Sequence, residues 1–439
     1  MLPSAIRDQS TPSRAPATFA LHRQREDRCS DTVTPPARRR RIVGEDRLHF
    51  SAMRTARRTH TFTESVIRGM TRLATEHGAI NLAQGFPNFA APAVLKEAAA
   101  AAIHADVNQY AITWGSKRLR DAIARKYHEW YGMEVNPETE LTVTCGATEA
   151  MAATLLALVD PGEEVVIFEP FYENYGPDAI LCDAKPVFVP LLPGQPLDLD
   201  RLRAACSART RAIIVNTPGN PSGRVLTREE LAGIAELCER HDAWAVTDEI
   251  YEHIRYAGEH VPIATLPGMR RRTVTISGAS KTFSITGWRI GTIVAPAGLT
   301  EAIRKVHDFL TVGAPAPLME GLAVAMERLG REYYDGLAGE YRVRRDLLVE
   351  ALEAARFRVV PPDGAYYILA DFSALSELPA PEFARWLTVT GGVATVPGTS
   401  FFHHPEDGNR LTRFAFCKTQ DLLREAVQRL HALPGRGVG

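Results

Sequence analysis

Lys281 lies in the stretch SGASKTFSITGWRIG, residues 277–291, directly after Ser280 and eight positions before Arg289. A lysine held away from water loses its proton more readily and becomes a nucleophile that can form a Schiff base. An arginine and serine hydroxyls close to a helix N-terminus are typical ligands of a phosphate monoester. The stretch therefore combines a candidate nucleophile with a candidate phosphate site.

Two further polar motifs each follow a short apolar run. NTPGNPSG, residues 216–223, contains Asn220, and TDEIYEH, residues 247–253, places Asp248 and Tyr251 three positions apart on a predicted first helical turn. Taken alone, the first motif is typical of a Pro/Gly loop and Asp248 is typical of a helix cap. Together with the lysine stretch, however, three consecutive strand ends offer polar groups to the crevice where parallel sheets bind ligands.

The combined set of side chains suits one cofactor, pyridoxal 5'-phosphate. An aspartate such as Asp248 beside a pyridine nitrogen keeps that nitrogen protonated, which makes the ring an electron sink. A phosphate cradle is predicted in TCGATEAM, where the backbone N–H groups at Gly146 and Ala147 are left without partners at a helix start and Thr148 adds a hydroxyl. Taken alone, this motif is typical of an ordinary capped helix. Tyr172 in EPFY is a candidate aromatic plate against the ring.

The elements that position these residues are predicted from the hydrophobic pattern. From about Phe62 onward, helical patterns alternate with short apolar runs, which are VVIF (165–168), AIIV (212–215), WAVT (244–247), TVTI (273–276) and GTIV (291–294). Short apolar strands separated by helices predict an α/β fold whose mainly parallel sheet is covered by helices on both faces.

The chain is also predicted to divide into domains. After His307, long helical segments precede the runs AYYILADF, GVATV and RFAFC, which predicts a smaller α+β domain. The first fifty-odd residues are rich in Pro, Ser, Thr and Arg without apolar periodicity, so we expect disorder there and hypothesise that translation starts at Met53. The predicted boundaries are a disordered N-terminal extension at 1–55, an N-terminal arm of the small domain and dimer at 56–92, a large cofactor-binding domain at 93–328 and a small C-terminal domain at 329–434.

Composition and charge exclude several classes of protein. The net charge of -1 at pH 7 gives no global attraction for nucleic acid or for an acidic membrane. The longest apolar run, residues 150–159, is too short to cross a bilayer. Six cysteines stand far apart without metal-ligand spacing, which predicts reduced thiols in a cytoplasmic protein and no metal site.

From about Phe62 to Leu433 the chain resembles the class I aminotransferases of pyridoxal-phosphate fold type I. The similarity is greatest to the branch that contains kynurenine, glutamine and methionine aminotransferases and cysteine-conjugate β-lyases. It is carried by the highly specific set NxxxNPxG, DExY and SKxxxxxGxR, in this order and with these gaps, and by GAYY at 364–367. The resemblance implies a large domain with a mainly parallel seven-stranded sheet between helices, a smaller α+β domain, and pyridoxal 5'-phosphate as the cofactor.

The resemblance also implies roles for individual residues. Lys281 would be the Schiff-base lysine and then the general base and acid of a 1,3-proton shift, and Asp248 would pair with the pyridine nitrogen. The other cofactor contacts would be Asn220 and Tyr251 on the ring hydroxyl, Ser280, Arg289, Gly146, Ala147 and Thr148 around the phosphate, and Tyr172 stacked on the ring.

The substrate and the partner subunit are implied in the same way. Arg413 in RFAFC resembles the arginine that binds the substrate α-carboxylate through a bidentate fork, although alone it would be assigned to an edge-strand salt bridge. Gly85 in NLAQGFPNF resembles the glycine whose backbone approaches the same carboxylate, and the resemblance implies Asn220 as a further substrate contact. Tyr110 in NQYAITWG resembles a tyrosine that reaches the phosphate of the neighbouring subunit, which implies a homodimer with shared active sites.

Two departures from the family pattern affect the prediction of substrate. Gly278 stands where some members carry a phosphate-binding serine, and Val312 and Gly313 stand where eukaryotic relatives carry an aromatic–His pair. Since no second arginine marks a dicarboxylate pocket and the candidate wall around Val312 is apolar, we expect neutral or aromatic L-amino acids as donors. Methionine, glutamine, phenylalanine and kynurenine are examples, with a 2-oxo acid as acceptor in a ping-pong cycle.

Other functions are compatible with some of the same sequence features. A cysteine-conjugate β-lyase or a specialised biosynthetic enzyme with the same cofactor would need the same residues, so the sequence leaves these activities open. A transcription regulator with an aminotransferase-like sensor would need a winged helix-turn-helix module, and residues 1–52 are too short and too broken by proline to form one.

Overall fold

The strands of the chain form three sheets in the computed structural model, which describes residues 55–62 and 64–433. The predictions of a disordered extension and of a start at Met53 concern residues that lie outside these ranges. The strands are β1 (Ile80–Asn81), β2 (Leu141–Thr144), β3 (Glu164–Glu169), β4 (Lys185–Pro190), β5 (Thr210–Asn216), β6 (Trp244–Asp248), β7 (Thr273–Gly278), β8 (Gly291–Val294), β9 (Arg358–Val359), β10 (Tyr367–Asp371), β11 (Val393–Ala394), β12 (Val396–Pro397) and β13 (Leu411–Ala415).

The α-helices alternate with these strands in the first part of the fold and lengthen towards the C-terminus. They are α1 (Val66–Glu76), α2 (Ala93–His104), α3 (Lys117–Tyr131), α4 (Ala147–Leu158), α5 (Tyr175–Leu181), α6 (Leu199–Ala205), α7 (Arg228–Arg240), α8 (Ala297–Thr311), α9 (Ala316–Arg328), α10 (Arg331–Ala354), α11 (Ala380–Val389) and α12 (Gln420–His431). None of the described helices combines the length and the hydropathy needed to cross a bilayer.

The large sheet has seven strands in the order β2-β8-β7-β6-β5-β3-β4. The five predicted apolar runs all lie in its strands, and the prediction of a mainly parallel sheet is confirmed. The strand β8 is antiparallel to both of its neighbours. Its connection from β7, residues 279–290, contains no α-helix, and parallel strands need a long crossover that this loop does not supply.

Side chains of the large sheet face two separate hydrophobic cores. In β3, Val165 and Ile167 pack into a core with α4, α5 and α8, whereas Val166 and Phe168 pack into a second core with α6 and α7. Because both faces are buried, neither face needs polar residues, which explains why the strand is continuously apolar rather than alternating.

A second, antiparallel sheet has the order β12-β13-β10-β9 and packs against α10, α11 and α12. The chain preceding the large sheet reaches this region, because β1 pairs in parallel with β11, with Ile80 opposite Val393. The described residues form one compact unit. The predicted domain boundaries at 92/93 and 328/329 therefore stay predictions.

Candidate active site

The predicted chemistry-bearing residues converge on a cleft of about 480 Å³ at the carboxyl ends of β5, β6 and β7. Its volume lies within the range of small-molecule sites. All but two of the predicted residues line it, namely Gly85, Ala147, Thr148, Tyr172, Asn220, Asp248, Tyr251, Ser280, Lys281, Arg289 and Arg413. The register explains the convergence, because Asn216 at the end of β5 lies directly opposite Asp248 at the end of β6.

Lys281 lies in the turn that follows β7, and its Nζ donates a hydrogen bond to the carbonyl oxygen of Gly85 at 3.3 Å. The Nζ atom also lies 5.9 Å from the ring centroid of Tyr251 and 5.7 Å from that of Tyr366. Burial lowers the pKa of Lys281 to about 8, and the positive charges of Arg289 and Arg413 act in the same direction. The amine is therefore partly unprotonated near neutral pH and available as a nucleophile.

A pH dependence follows from this lowered pKa. In cofactor-free protein, covalent labelling of Lys281 by an amine-directed reagent should rise with pH and reach half of its maximum near pH 8, because only the unprotonated amine reacts. An unperturbed lysine has a pKa of about 10.4. Peptide-resolved mass spectrometry across a pH series measures the midpoint, and a midpoint near the unperturbed value would contradict the burial argument.

Asp248 ends β6 and is buried at the floor of the cleft. Its Oδ2 accepts a hydrogen bond from the hydroxyl of Tyr175 at 2.8 Å, and its Oδ1 accepts one from the backbone N–H of Ile250 at 3.3 Å. Burial raises the pKa of Asp248, while these two hydrogen bonds and the charge of Lys281 oppose the rise. A carboxylate held in this way can keep a basic ring nitrogen protonated.

Replacement of Tyr175 by phenylalanine removes the donor that stabilises the charged form of Asp248. The pKa of Asp248 should rise further, and turnover should fall roughly 10-fold, because a hydrogen bond to a charged group contributes about 1.5–3 kcal/mol. The acid limb of the kcat profile should move to higher pH. The matched control is Tyr333→Phe, which also removes a 2.8 Å hydrogen bond from a tyrosine hydroxyl, here to the carbonyl of Thr282; an equal loss in both variants would contradict the assignment.

The region between Asp248 and Tyr251 differs from the predicted helical turn. Residues 250–253 form hydrogen-bonded turns, and no described α-helix begins at this position. The backbone N–H of Glu249 donates to the carbonyl of Ile276 in β7, so strand pairing continues past Asp248. The Asp248 side chain consequently faces the cleft.

An anion cradle lies where α4 begins. Gly146 precedes the helix with φ of 87°, and a Cβ at this position would come within 2.4 Å of the Arg289 guanidinium. Arg289 donates to the carbonyl of Thr286 at 3.1 Å and forms no ion pair with a described acidic residue. The first N–H groups of a helix also lack intrahelical partners. Together these donors fit a phosphate group, with Ser280 and Thr148 close by in the same cleft lining.

Arg413 has the geometry of a carboxylate-binding residue. Its side chain is fully buried and donates to Asn220 Oδ1 at 2.8 Å and to the carbonyl of Ala83 at 2.7 Å, and its Nε has no partner among the described residues. No acidic side chain of the described chain pairs with it, so the salt bridge considered from sequence is absent there. A buried guanidinium without a counterion is a ready site for a carboxylate.

Aromatic side chains close the cleft around Gly85. A Cβ on Gly85 would lie 2.0 Å from the hydroxyl of Tyr367, so a larger residue here would displace that side chain. The hydroxyl of Tyr367 hydrogen-bonds to that of Tyr251 at 3.1 Å, and the hydroxyl of Tyr366 donates to the Gly85 carbonyl at 2.8 Å. The guanidinium of Arg413 lies 4.4 Å from the Tyr367 ring centroid. The GAYY motif thus supports both the lysine and the arginine.

Two residues singled out by the sequence lie elsewhere. Tyr110 is 87% exposed and does not line the cleft of its own chain, whereas Gly146 lies behind the Arg289 side chain rather than in the lining. Val312 is 46% exposed at the end of α8, and it also lies outside the cleft lining. Val312, around which the apolar wall is predicted, is therefore not part of this cleft within one chain.

The structure adds residues that the sequence reasoning did not identify. Tyr175, three positions after Tyr172 and at the start of α5, also lines the cleft. Asp178, one turn further on, is a buried carboxyl in the lining, and burial raises its pKa to about 7. Arg68 and Ser65 at the start of α1 also line the cleft, and no local signal in the sequence marks them.

Comparisons with known proteins agree with this geometry. Residues 77–430 match the family described as aminotransferase class I and II. The methionine aminotransferase of Escherichia coli is 39% identical over 84% of this chain and 96% of its own, and human kynurenine--oxoglutarate transaminase 1 is 34% identical over 82% and 93%. Among solved structures, N-succinyldiaminopimelate aminotransferase from Mycobacterium tuberculosis has a TM-score of 0.84 at 41% identity, covering 87% of this chain and 100% of that one.

The fold and the cleft define an enzyme of pyridoxal-phosphate fold type I. Within that class, the chain belongs to the class I and II aminotransferases. Its cofactor is pyridoxal 5'-phosphate, and the residues present fit this group: a half-buried lysine of lowered pKa, a buried carboxylate, and an anion cradle that a Cβ on Gly146 would fill.

Proposed function

We propose that this aminotransferase moves the amino group of a neutral or aromatic L-amino acid to a 2-oxo acid by a ping-pong mechanism. Methionine, glutamine, phenylalanine and kynurenine are the proposed donors. The observation that carries the proposal is that Lys281, Asp248 and Arg413 share one cleft, where no acidic side chain of the described residues pairs with Arg413. The printed names of a methionine aminotransferase and of kynurenine transaminases among the relatives support this choice of donors.

The proposed cofactor contacts follow from the positions of the side chains. Asp248 pairs with the pyridine nitrogen, Asn220 and Tyr251 bond the ring hydroxyl, and Tyr172 stacks on the ring. The phosphate is held by the anion cradle, which consists of Arg289, Ser280, Thr148 and the backbone N–H groups that follow Gly146 and begin at Ala147. Both the lining of the cleft and the absence of an ion pair at Arg289 within the described chain support this arrangement.

Bound pyridoxal phosphate supplies an electron sink that stabilises negative charge at the substrate Cα. Arg413 holds the α-carboxylate and so fixes which bond of Cα faces the lysine. Lys281, with its pKa lowered to about 8, takes the proton from Cα. Asp248 keeps the proton on the ring nitrogen through its buried carboxylate. The rings of Tyr366 and Tyr367 pack edge-on against the ring of Tyr251 and so support its position in the cleft.

A homodimer in the cytoplasm is part of the proposal. Tyr110 is 87% exposed and lies outside its own cleft, which leaves its side chain free to complete the phosphate site of a second copy. Analytical ultracentrifugation tests the assembly, and mixed dimers of Tyr110→Phe and Lys281→Ala chains test whether the site is shared.

Steady-state kinetics tests the proposed mechanism. With methionine and a 2-oxo acid varied together, double-reciprocal plots should give parallel lines, and amino-group transfer should account for the donor consumed. Intersecting lines would contradict the ping-pong cycle. Release of ammonia and pyruvate from a cysteine conjugate at a rate above that of amino-group transfer would instead establish the β-lyase activity that the sequence leaves open.

A further inference from the structure

A third arginine lines the cleft together with Arg289 and Arg413. Arg68 lies in the first turn of α1, and its side chain is exposed to solvent at the cleft. Among the residues that the structure describes, the Arg68 guanidinium forms neither an ion pair nor a hydrogen bond. A guanidinium that faces a ligand cleft without a partner is available to an anionic group of the ligand.

The acidic side chains near Arg68 are already engaged by other groups. Glu64 accepts two hydrogen bonds from Arg72, at 2.7 and 3.2 Å, and this contact is the main reason that its pKa is lowered, with Arg68 contributing least. Glu173, which also lines the cleft, accepts a hydrogen bond from the hydroxyl of Ser65 at 2.6 Å. Neither carboxylate forms an ion pair with Arg68 in the described structure.

The other two arginines of the cleft have anions assigned to them in the proposed function, on which this inference rests. Arg289 takes the cofactor phosphate, and Arg413 takes the α-carboxylate of the substrate. We propose that Arg68 binds the second carboxylate of a dicarboxylic 2-oxo acid, so that the amino-group acceptor is acidic although the donor is neutral. This assignment makes Arg68 a specificity-determining residue for the acceptor half-reaction.

The exposure of Arg68 explains how one cleft serves both substrates. A buried guanidinium would lose its hydration and would need a counterion whenever a neutral donor occupied the cleft. An exposed one stays hydrated while methionine or an aromatic amino acid is bound, at little cost in free energy. When the acidic acceptor enters, the same side chain exchanges water for a carboxylate and forms a charge-assisted hydrogen bond.

Two acceptors of equal chain length test the proposal, 2-oxoglutarate and 2-oxopentanoate, which differ only in the terminal carboxylate. In Arg68→Met, kcat/KM for 2-oxoglutarate should fall about 10-fold, whereas kcat/KM for 2-oxopentanoate should stay within about 2-fold of wild type. Arg68→Lys keeps the charge but loses the planar fork, so it should restore part of the loss. Glutarate should inhibit wild type more strongly than pentanoate does, and this difference should disappear in Arg68→Met.

Arg72→Met is the matched control, because Arg72 lies one turn further along the same helix and binds Glu64 outside the cleft lining. Its kcat/KM values should match those of wild type for both acceptors. An equal loss of kcat/KM for both acceptors in Arg68→Met, or no loss for 2-oxoglutarate, would overturn the inference. The proposed function would still stand in that case if the wild-type enzyme transfers the amino group to 2-oxopentanoate. Failure of wild type with both acceptors would overturn the proposed function and this inference together.

Discussion

Replacement of Lys281 by alanine is expected to abolish transamination while the fold is retained. The change removes the only described lysine that lines the cleft, and with it both the covalent attachment of the cofactor and the base that moves the Cα proton. Turnover should fall by about 10³-fold or more, and the visible absorption of the lysine-linked cofactor should be lost. Absorption spectroscopy and a coupled transaminase assay measure the two effects.

The fold of the Lys281→Ala variant should survive, because the substitution removes a side chain from a ligand cleft rather than from one of the hydrophobic cores. The matched control is Lys305→Ala on the outer face of α8, where the lysine side chain is 71% exposed. That variant should keep both colour and activity. Retained turnover in Lys281→Ala would disprove the assigned role of the lysine.

Arg413→Ala should raise KM for amino acids and lower kcat/KM by about 10² to 10³-fold, with the cofactor still bound. Removal of one partner from a buried pair of charged groups costs about 2–5 kcal/mol, and the α-carboxylate would be left without its fork. Because Arg413 also holds Asn220 and the Ala83 carbonyl, thermal stability should fall as well. Arg413→Lys, which retains the charge but not the bidentate geometry, should show a smaller loss.

Arg424→Ala provides the control for the loss of an arginine in the same part of the chain. Arg424 lies on α12 and pairs with Asp421 at 3.0 Å, with both side chains more than half exposed. Exposed ion pairs contribute about 0–1 kcal/mol, so neither KM nor stability should change measurably. An unchanged KM in Arg413→Ala would show that a different group binds the α-carboxylate.

Local motifs were sufficient to predict which side chains lie together at the floor of the cleft. Lys281, Asp248 and Asn220 each lie within a few residues of the end of a parallel strand, and parallel order alone brings the carboxyl ends of such strands together. Continuous apolar runs identified those strands because both faces of the sheet are buried. The antiparallel direction of β8 was not predicted, since the apolar run is the same in either direction.

Residues that reach the cleft from other parts of the chain could not be predicted in this way. Tyr175 and Asp248 are 73 positions apart, and their hydrogen bond depends on how α5 packs against the sheet. Arg68 lies on a helix near the start of the described chain, far in sequence from the strand-end motifs, and its place in the cleft lining depends on how that helix packs.

The visible absorption spectrum of the purified enzyme with a single L-amino acid, and without any 2-oxo acid, tests the central claim most directly. We expect the band of the lysine-linked cofactor to fade with methionine, glutamine or an aromatic amino acid, and one equivalent of 2-oxo acid to be released per active site. A band that stays unchanged with every amino acid, or that persists while ammonia and pyruvate accumulate, would contradict aminotransferase chemistry in this cleft.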